Sequence, residues 1–163
     1  MNKPKQRGTA AETAVLRYVR ENGFPHAYRQ TLAGSKDLGD IRLDDTTIIE
    51  VKSVATAATG QPGAALLAKW MGEMAAERKN AGAFRGVLVV KRKGTTNPAD
   101  WWSYVEANEF ITLIEPWLSF RPEPTFPVCV RFGDLLDYVV ANDERLESFL
   151  RGNDDERPEL AAA

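Results

Sequence analysis

Four consecutive apolar residues, Val87-Leu88-Val89-Val90, set the tightest limit on what this chain can become. Side chains alternate faces along a strand, so an unbroken apolar run needs cover on both sides. The pattern predicts a strand over residues 86–91 in the centre of a sheet, with helices packed on that sheet.

The flanking sequence supplies those layers. Ala11, Ala14, Val15, Tyr18 and Val19 recur at helical spacing, which predicts a helix from Thr9 to about Glu21, ended by Asn22-Gly23. Ahead of it, Lys3 to Gly8 reads as a mobile basic arm. A short strand is expected between Ala27 and Leu32, then a glycine-flanked loop over 34–39. Asp40–Leu43 and Thr47–Ser53 read as strands joined into a hairpin by Asp44-Asp45-Thr46. A loop is expected over 56–63. Leu67, Met71, Met74 and Ala75 then mark a second helix over Ala64–Asn80. Asn97-Pro98 reads as the start of a third, running through Trp101, Trp102 and Val105 to about Asn108. Phe110–Ile114 and Val128–Arg131 are expected as strands around a proline-rich loop, and Gly133–Ala141 as a short helix. The order describes a mixed α/β domain over residues 1–142, followed by an acidic tail over 143–163, disordered from Asn153 onward.

Composition narrows the chemistry. The 163 residues suit one domain, and no apolar run approaches the roughly 20 residues of a membrane helix. Met1 to Gly8 lacks the apolar stretch of a signal peptide. Cys129 and His26 are each the single residue of their type, which excludes an internal disulfide, a cysteine zinc site and a paired-histidine site. A reducing, cytoplasmic compartment is expected. Net charge is −2, but residues 143–159 carry seven acids against three arginines, leaving residues 1–142 with a small positive excess. That balance permits nucleic-acid binding without requiring it.

Glu50-Val51-Lys52 lies near the end of the second hairpin strand, so Glu50 and Lys52 share one face. A carboxylate and an ammonium on an inward face are costly unless something uses them. Asp40 opens the preceding strand, and the hairpin brings it beside Ile49 and Glu50. Two carboxylates at a strand end suit a hard cation such as Mg²⁺. With a lysine beside them, the set has the logic of phosphodiester hydrolysis. Glu12, on the first helix, would complete the acidic cluster.

Each element also has a plainer reading. E-x-K is a frequent surface ion pair, and Thr9-Ala-Ala-Glu12 has the form of a capping box. Asp37, Asp44 and Asp45 read as turn residues, and His26 as a surface loop residue. Adjacent tryptophans on a helix point about 100° apart, so core packing is favoured over base stacking for at least one of Trp101 and Trp102.

Taken in order, the motifs resemble a known family. Arg7-Gly-Thr-Ala-Ala-Glu12, Leu16, Asn22-Gly-Phe24, Arg29, Gly34-Ser35, Gly39-Asp40-Ile41 and Ile49-Glu-Val-Lys-Ser53 resemble the archaeal-type Holliday junction resolvases, as do Asn80-Ala-Gly82 and Val87-Leu-Val-Val-Lys91. These belong to the PD-(D/E)XK nucleases. The likeness covers about residues 5–95, while the region from about Pro98 onward and the acidic tail have no counterpart in it. The resemblance implies a restriction-endonuclease-like mixed sheet flanked by helices. It implies Mg²⁺, with Mn²⁺ as a substitute, held by Glu12, Asp40 and Glu50, with Lys52 assisting hydrolysis. It implies DNA contacts from Lys5, Arg7, Arg29, Ser35, Lys36, Lys91, Arg92 and Lys93. It further implies a homodimer, since a four-way junction offers two equivalent cleavage points. Other readings are a related nuclease acting on DNA ends, flaps or duplex sites, and a non-catalytic DNA-binding module of the same fold. The compact size fits a phage or mobile-element protein.

Overall fold

The computed structural model describes the backbone of residues 3–31, 36–53, 61–114 and 126–151, and the side chains of 8–31, 36–53, 61–112 and 126–141. Helix α1 (Lys3–Glu21) begins six residues before the expected start at Thr9. Lys3 to Gly8 is therefore the first turn and a half of a helix and not a mobile arm. Lysine, glutamine and arginine are good helix formers, and Pro4 is tolerated in a first turn. Thr9 is consequently helix interior, so the capping-box reading of Glu12 falls away. The Thr9 carbonyl instead accepts a hydrogen bond from Thr13 Oγ1 at 2.8 Å.

Strand β1 (Tyr28–Arg29) leads into the expected hairpin of β2 (Ile41–Arg42) and β3 (Thr47–Lys52). Asp44 makes the turn, with Oδ1 accepting from both the amide and the hydroxyl of Thr46. Helix α2 (Ala64–Asn80) then crosses to β4 (Arg85–Val90), which pairs parallel with β3. A parallel pair needs such a crossover because a tight turn cannot reverse the chain twice.

Past β4 the structure departs from the sequence reading. Pro98–Asp100 is a single 3₁₀ turn, capped by the Asn97 side chain on the Ala99 amide, and no longer helix follows it. Trp102–Glu106 is strand β5, antiparallel to β4. Aromatic and β-branched residues favour a pleated surface, and here they meet two neighbouring strands. Ala107–Ile114, expected to contain a strand, is helix α3. Strand β6 (Pro127–Arg131) follows as read, and α4 (Phe132–Arg151) continues well past Ala141 into the acidic segment. Ser35, most of loop 56–63 and the segment from Asn153 onward lie outside the described residues.

Among the described residues the sheet has six strands in the order β1-β2-β3-β4-β5-β6, antiparallel throughout except for β3 and β4. The protein is thus a mixed α/β structure with helices on both faces of a mixed sheet. Ile49, Val51, Val87, Val89 and Val105 pack with Val15 and Val19 of α1 and Leu135, Leu136 and Val139 of α4. On the other face Leu88, Val90 and Tyr104 pack with Trp70, Met71 and Met74 of α2. The apolar run in β4 is covered on both sides, as its composition requires. Gly86 leaves room there for Met74, whose Sδ a Cβ at that position would displace. Trp101 is buried on the first face and Trp102 packs against the second, so both serve the core, from opposite sides of a strand. No helix among the described residues is long and apolar enough to cross a membrane.

Candidate active site

Asp40 stands one residue ahead of β2, where its backbone joins the ladder. Its amide donates to the Ile49 carbonyl at 3.1 Å, and its carbonyl accepts from the Gln30 amide at 2.9 Å. Among the described residues β3 has no further backbone partner on that side, and the Asp40 carboxylate fills the role. Its Oδ2 accepts from the Val51 amide at 2.8 Å. Gly39, at φ +87°, makes the bend; a side chain there would be strained and would press on Ile48 Cδ1.

In β3, register places Glu50 opposite Leu88 and Lys52 opposite Val90, so both acid and amine point toward α2. Glu50 is 7% exposed, and its Oε1 accepts from Lys52 Nζ at 2.7 Å. Lys52 also meets Glu73 Oε2 of α2 at 3.1 Å. One turn along α2, Glu77 is equally buried and lies within hydrogen-bonding reach of Glu50, and its Oε2 has no hydrogen-bond partner among the described residues. Glu12 approaches from α1. Its Oε2 pairs with Arg29 at 3.2 Å, and Arg29 also donates to Thr13 Oγ1 at 3.1 Å.

This crowding raises Glu12, Asp40, Glu50 and Glu77 alike. Burial, then the charge of Asp40, pushes the Glu50 carboxyl up to about 9 against the opposing pull of Lys52. Burial also raises Asp40, although the Val51 amide, Glu50 and Lys52 work against it. Burial raises Glu77, and burial followed by Asp40 raises Glu12 against the pull of Arg29. Lys52 moves the other way from an isolated buried amine. Burial disfavours its charge, but Glu50 and Glu73 together outweigh that and raise its pKa.

The buried Glu50 and Glu77 and the half-buried Asp40 crowd around one lysine, and an added cation would favour their charged forms by displacing protons. The donors are all oxygen, which suits Mg²⁺ or Mn²⁺. Among the described residues no group of three or more His, Cys, Asp or Glu side chains has the spacing of a preformed ion cage. Mg²⁺ is commonly held by one or two carboxylates, with water and substrate phosphate completing its shell. Asp40 and Glu50 fit that manner of binding. Glu12, expected as a third ligand, is instead engaged with Arg29.

Of the basic residues expected to meet phosphate, Arg29 is occupied by Glu12, whereas Lys36 and Lys93 are exposed. Lys91 lies over the Trp101 ring at 5.4 Å and Arg92 over the Trp102 ring at 5.1 Å. The side chains of Lys5 and Arg7, like Ser35, lie outside the described residues. The sequence reading missed Glu73 and Glu77. Their signal was present: Trp70, Met74 and Glu77 fall on one helical stripe, and a carboxylate within an apolar stripe must face something that uses it. Comparison with protein-family models, with curated proteins and with solved structures gives no match.

Proposed function

We propose that this protein is a metal-dependent DNA endonuclease of the PD-(D/E)XK type, with a restriction-endonuclease-like sheet and four-way junctions as its substrate. The observation that supports this most is the joining of Asp40, Glu50 and Lys52 at one end of the β2–β3 hairpin, with Oδ2 of Asp40 on the Val51 amide and Oε1 of Glu50 on Lys52. A surface ion pair would not bury its carboxylate, with Glu77 buried beside it and Glu73 reaching the amine from α2.

Asp40 and Glu50 would hold the divalent ion. When bound, it supplies Lewis-acid polarisation of a phosphoryl oxygen and acidifies water. Lys52 keeps its proton throughout the physiological range, because Glu50 and Glu73 favour the ammonium. It therefore acts on the scissile phosphate as a hydrogen-bond donor and a positive charge, not as a base. Glu73 fixes the amine from the side away from β3. Glu12 and Arg29 neutralise one another beside Asp40, which limits the charge facing an incoming phosphate. In the overall reaction a water oxygen joins phosphorus, the bond to one ester oxygen breaks, and the leaving oxygen takes a proton. A two-fold dimer would match the symmetry of a junction.

The test incubates the full-length protein with labelled four-way junction, flap and matched duplex DNA, in Mg²⁺, Mn²⁺ or EDTA. Symmetric nicks on the junction alone, abolished by EDTA, are expected. Equal cutting of all three substrates would replace junction resolution with general nuclease activity. Binding without cutting in any metal would leave a non-catalytic DNA-binding module.

A further inference from the structure

We infer that the cavity beyond β4, lined by Arg92, Lys93, Gly94, Thr95, Asp100 and Arg131, seats a backbone phosphate of the DNA about two nucleotides from the scissile bond. This inference rests on the nuclease reading above and extends it to residues outside the acidic site. The lining holds three cations and one carboxylate, so the cavity attracts anions. Its volume is about 270 Å³, below the roughly 300–1,000 Å³ of sites that enclose whole small molecules. It suits a phosphodiester group with part of its sugars better than a nucleotide cofactor.

Sheet register gives the position. Lys52 pairs with Val90, Val90 with Trp102, and Trp102 with Arg131, a row across four neighbouring strands. Residues paired in this way point to the same face, so Lys52, Trp102 and Arg131 all project on the α2 side. Three interstrand steps of about 4.8 Å set Arg131 roughly 14 Å from Lys52. Successive phosphates of one strand are separated by the rise of about 3.4 Å along the axis and by a sideways step around the duplex, roughly 6–7 Å in all, so the span is about two nucleotides. Between the two ends, the Arg92 guanidinium lies over the Trp102 ring, which holds a cation on the path.

Asp100 is the odd member of the lining. Its Oδ1 is 3.9 Å from Arg131, and its Oδ2 accepts from Thr95 Oγ1 at 3.2 Å. The contact with Arg131 is loose, and the arginine side chain is half exposed. Arg131 is therefore free to exchange Asp100 for a phosphate, while Asp100 opposes the phosphate electrostatically. A purely structural role for this pair would not make removal of the acid improve DNA binding.

The test measures binding of labelled junction DNA to the full-length protein in EDTA over a salt series, by fluorescence anisotropy. Arg131→Gln should weaken binding and flatten the slope of log K against log salt by about 0.9, the loss of one phosphate contact. Asp100→Asn should tighten binding severalfold. Trimming the DNA to fewer than about two nucleotides beyond the nick should erase both effects. Free inorganic phosphate at millimolar concentration should not compete; if it displaces the DNA, the cavity is a small-anion site and the inference falls. It falls alone if the wild type cuts DNA while both variants bind with the wild-type slope and affinity. If the variants behave as expected but the wild type cuts nothing, the phosphate seat stands and the nuclease reading is overturned.

Discussion

Replacing Glu50 with glutamine should make the metal-free protein more stable in mild alkali while removing its response to divalent metal. Glu50 is buried beside Asp40 and Glu77, and its carboxyl is pushed up from 4.5 to about 9. A group raised in this way favours folding fully below its unfolded value. That contribution is lost as pH climbs through the window from about 4.5 to about 9. At pH of about 8, holding or removing that proton costs up to about 5 kcal/mol, at roughly 1.4 kcal/mol per pH unit. Relaxation around the site and the Lys52 contact reduce what glutamine recovers to about 2–3 kcal/mol. For a domain of this size that is a rise of about 5–10 °C in Tm. The amide is isosteric and can still donate toward Asp40 and Glu77, so the fold has no new cavity to absorb. Thermal melts in EDTA at pH of about 5 and about 8 measure the effect. Mg²⁺ or Mn²⁺ should then raise the wild-type Tm at the higher pH, because binding only the folded state stabilises it, and should leave Glu50→Gln unmoved. A variant less stable than wild type at both pH values, or one that still responds to metal, would refute the electrostatic reasoning.

Other substitutions test separate parts of the structure. Gly86→Ala places a methyl against Met74 Sδ, which should cost about 1–3 kcal/mol in a denaturant melt; an unchanged midpoint would mean that α2 is free to move off the sheet. Glu109 of α3 is 2% exposed, pairs with Arg78 of α2 and accepts from the Gly86 amide at 3.0 Å. Glu109→Ala strands both donors and should cost about 3–5 kcal/mol, with a loss below about 1 kcal/mol excluding a structural role for the pair. Lys52→Met should abolish cleavage of junction DNA while changing its affinity by less than about tenfold, since one phosphate contact among several is lost. Cleavage at the wild-type rate would remove Lys52 from the chemistry.

The parts of the fold that were legible in the sequence are those whose pattern is local. The hairpin of β2 and β3 needs only alternation around Asp44-Asp45, and α2 falls on its expected bounds because its apolar stripe spans the whole helix. Residues 98–114 were misread because β5 is defined by partners far away in sequence. Val90 and Arg131 flank Trp102 in the sheet, and neither is visible from the Asn97-Pro98 start signal. Short apolar runs such as Phe110–Ile114 satisfy either period, and only the buried reach of Glu109 to Arg78 and Gly86 shows why a helix is required. At the site, Asp40, Glu50 and Lys52 could be grouped from strand periodicity and one turn. Glu77 could be marked as an acid in an apolar stripe, but neither it nor Glu73 could be joined to that group, because their approach depends on how α2 crosses the sheet. The engagement of Arg29 with Glu12 joins α1 to an edge strand and likewise has no local signature.

Cleavage and binding of one labelled junction by wild type and by Asp40→Asn, side by side in Mg²⁺, test the central claim most directly. Asparagine keeps the acceptor for the Val51 amide and the shape of the turn, and removes only the charge that would hold the cation. The expected result is cutting by the wild type alone, with equal DNA binding by both proteins. Cutting by Asp40→Asn at the wild-type rate, or no cutting by either protein in Mg²⁺ or Mn²⁺, would contradict the assignment.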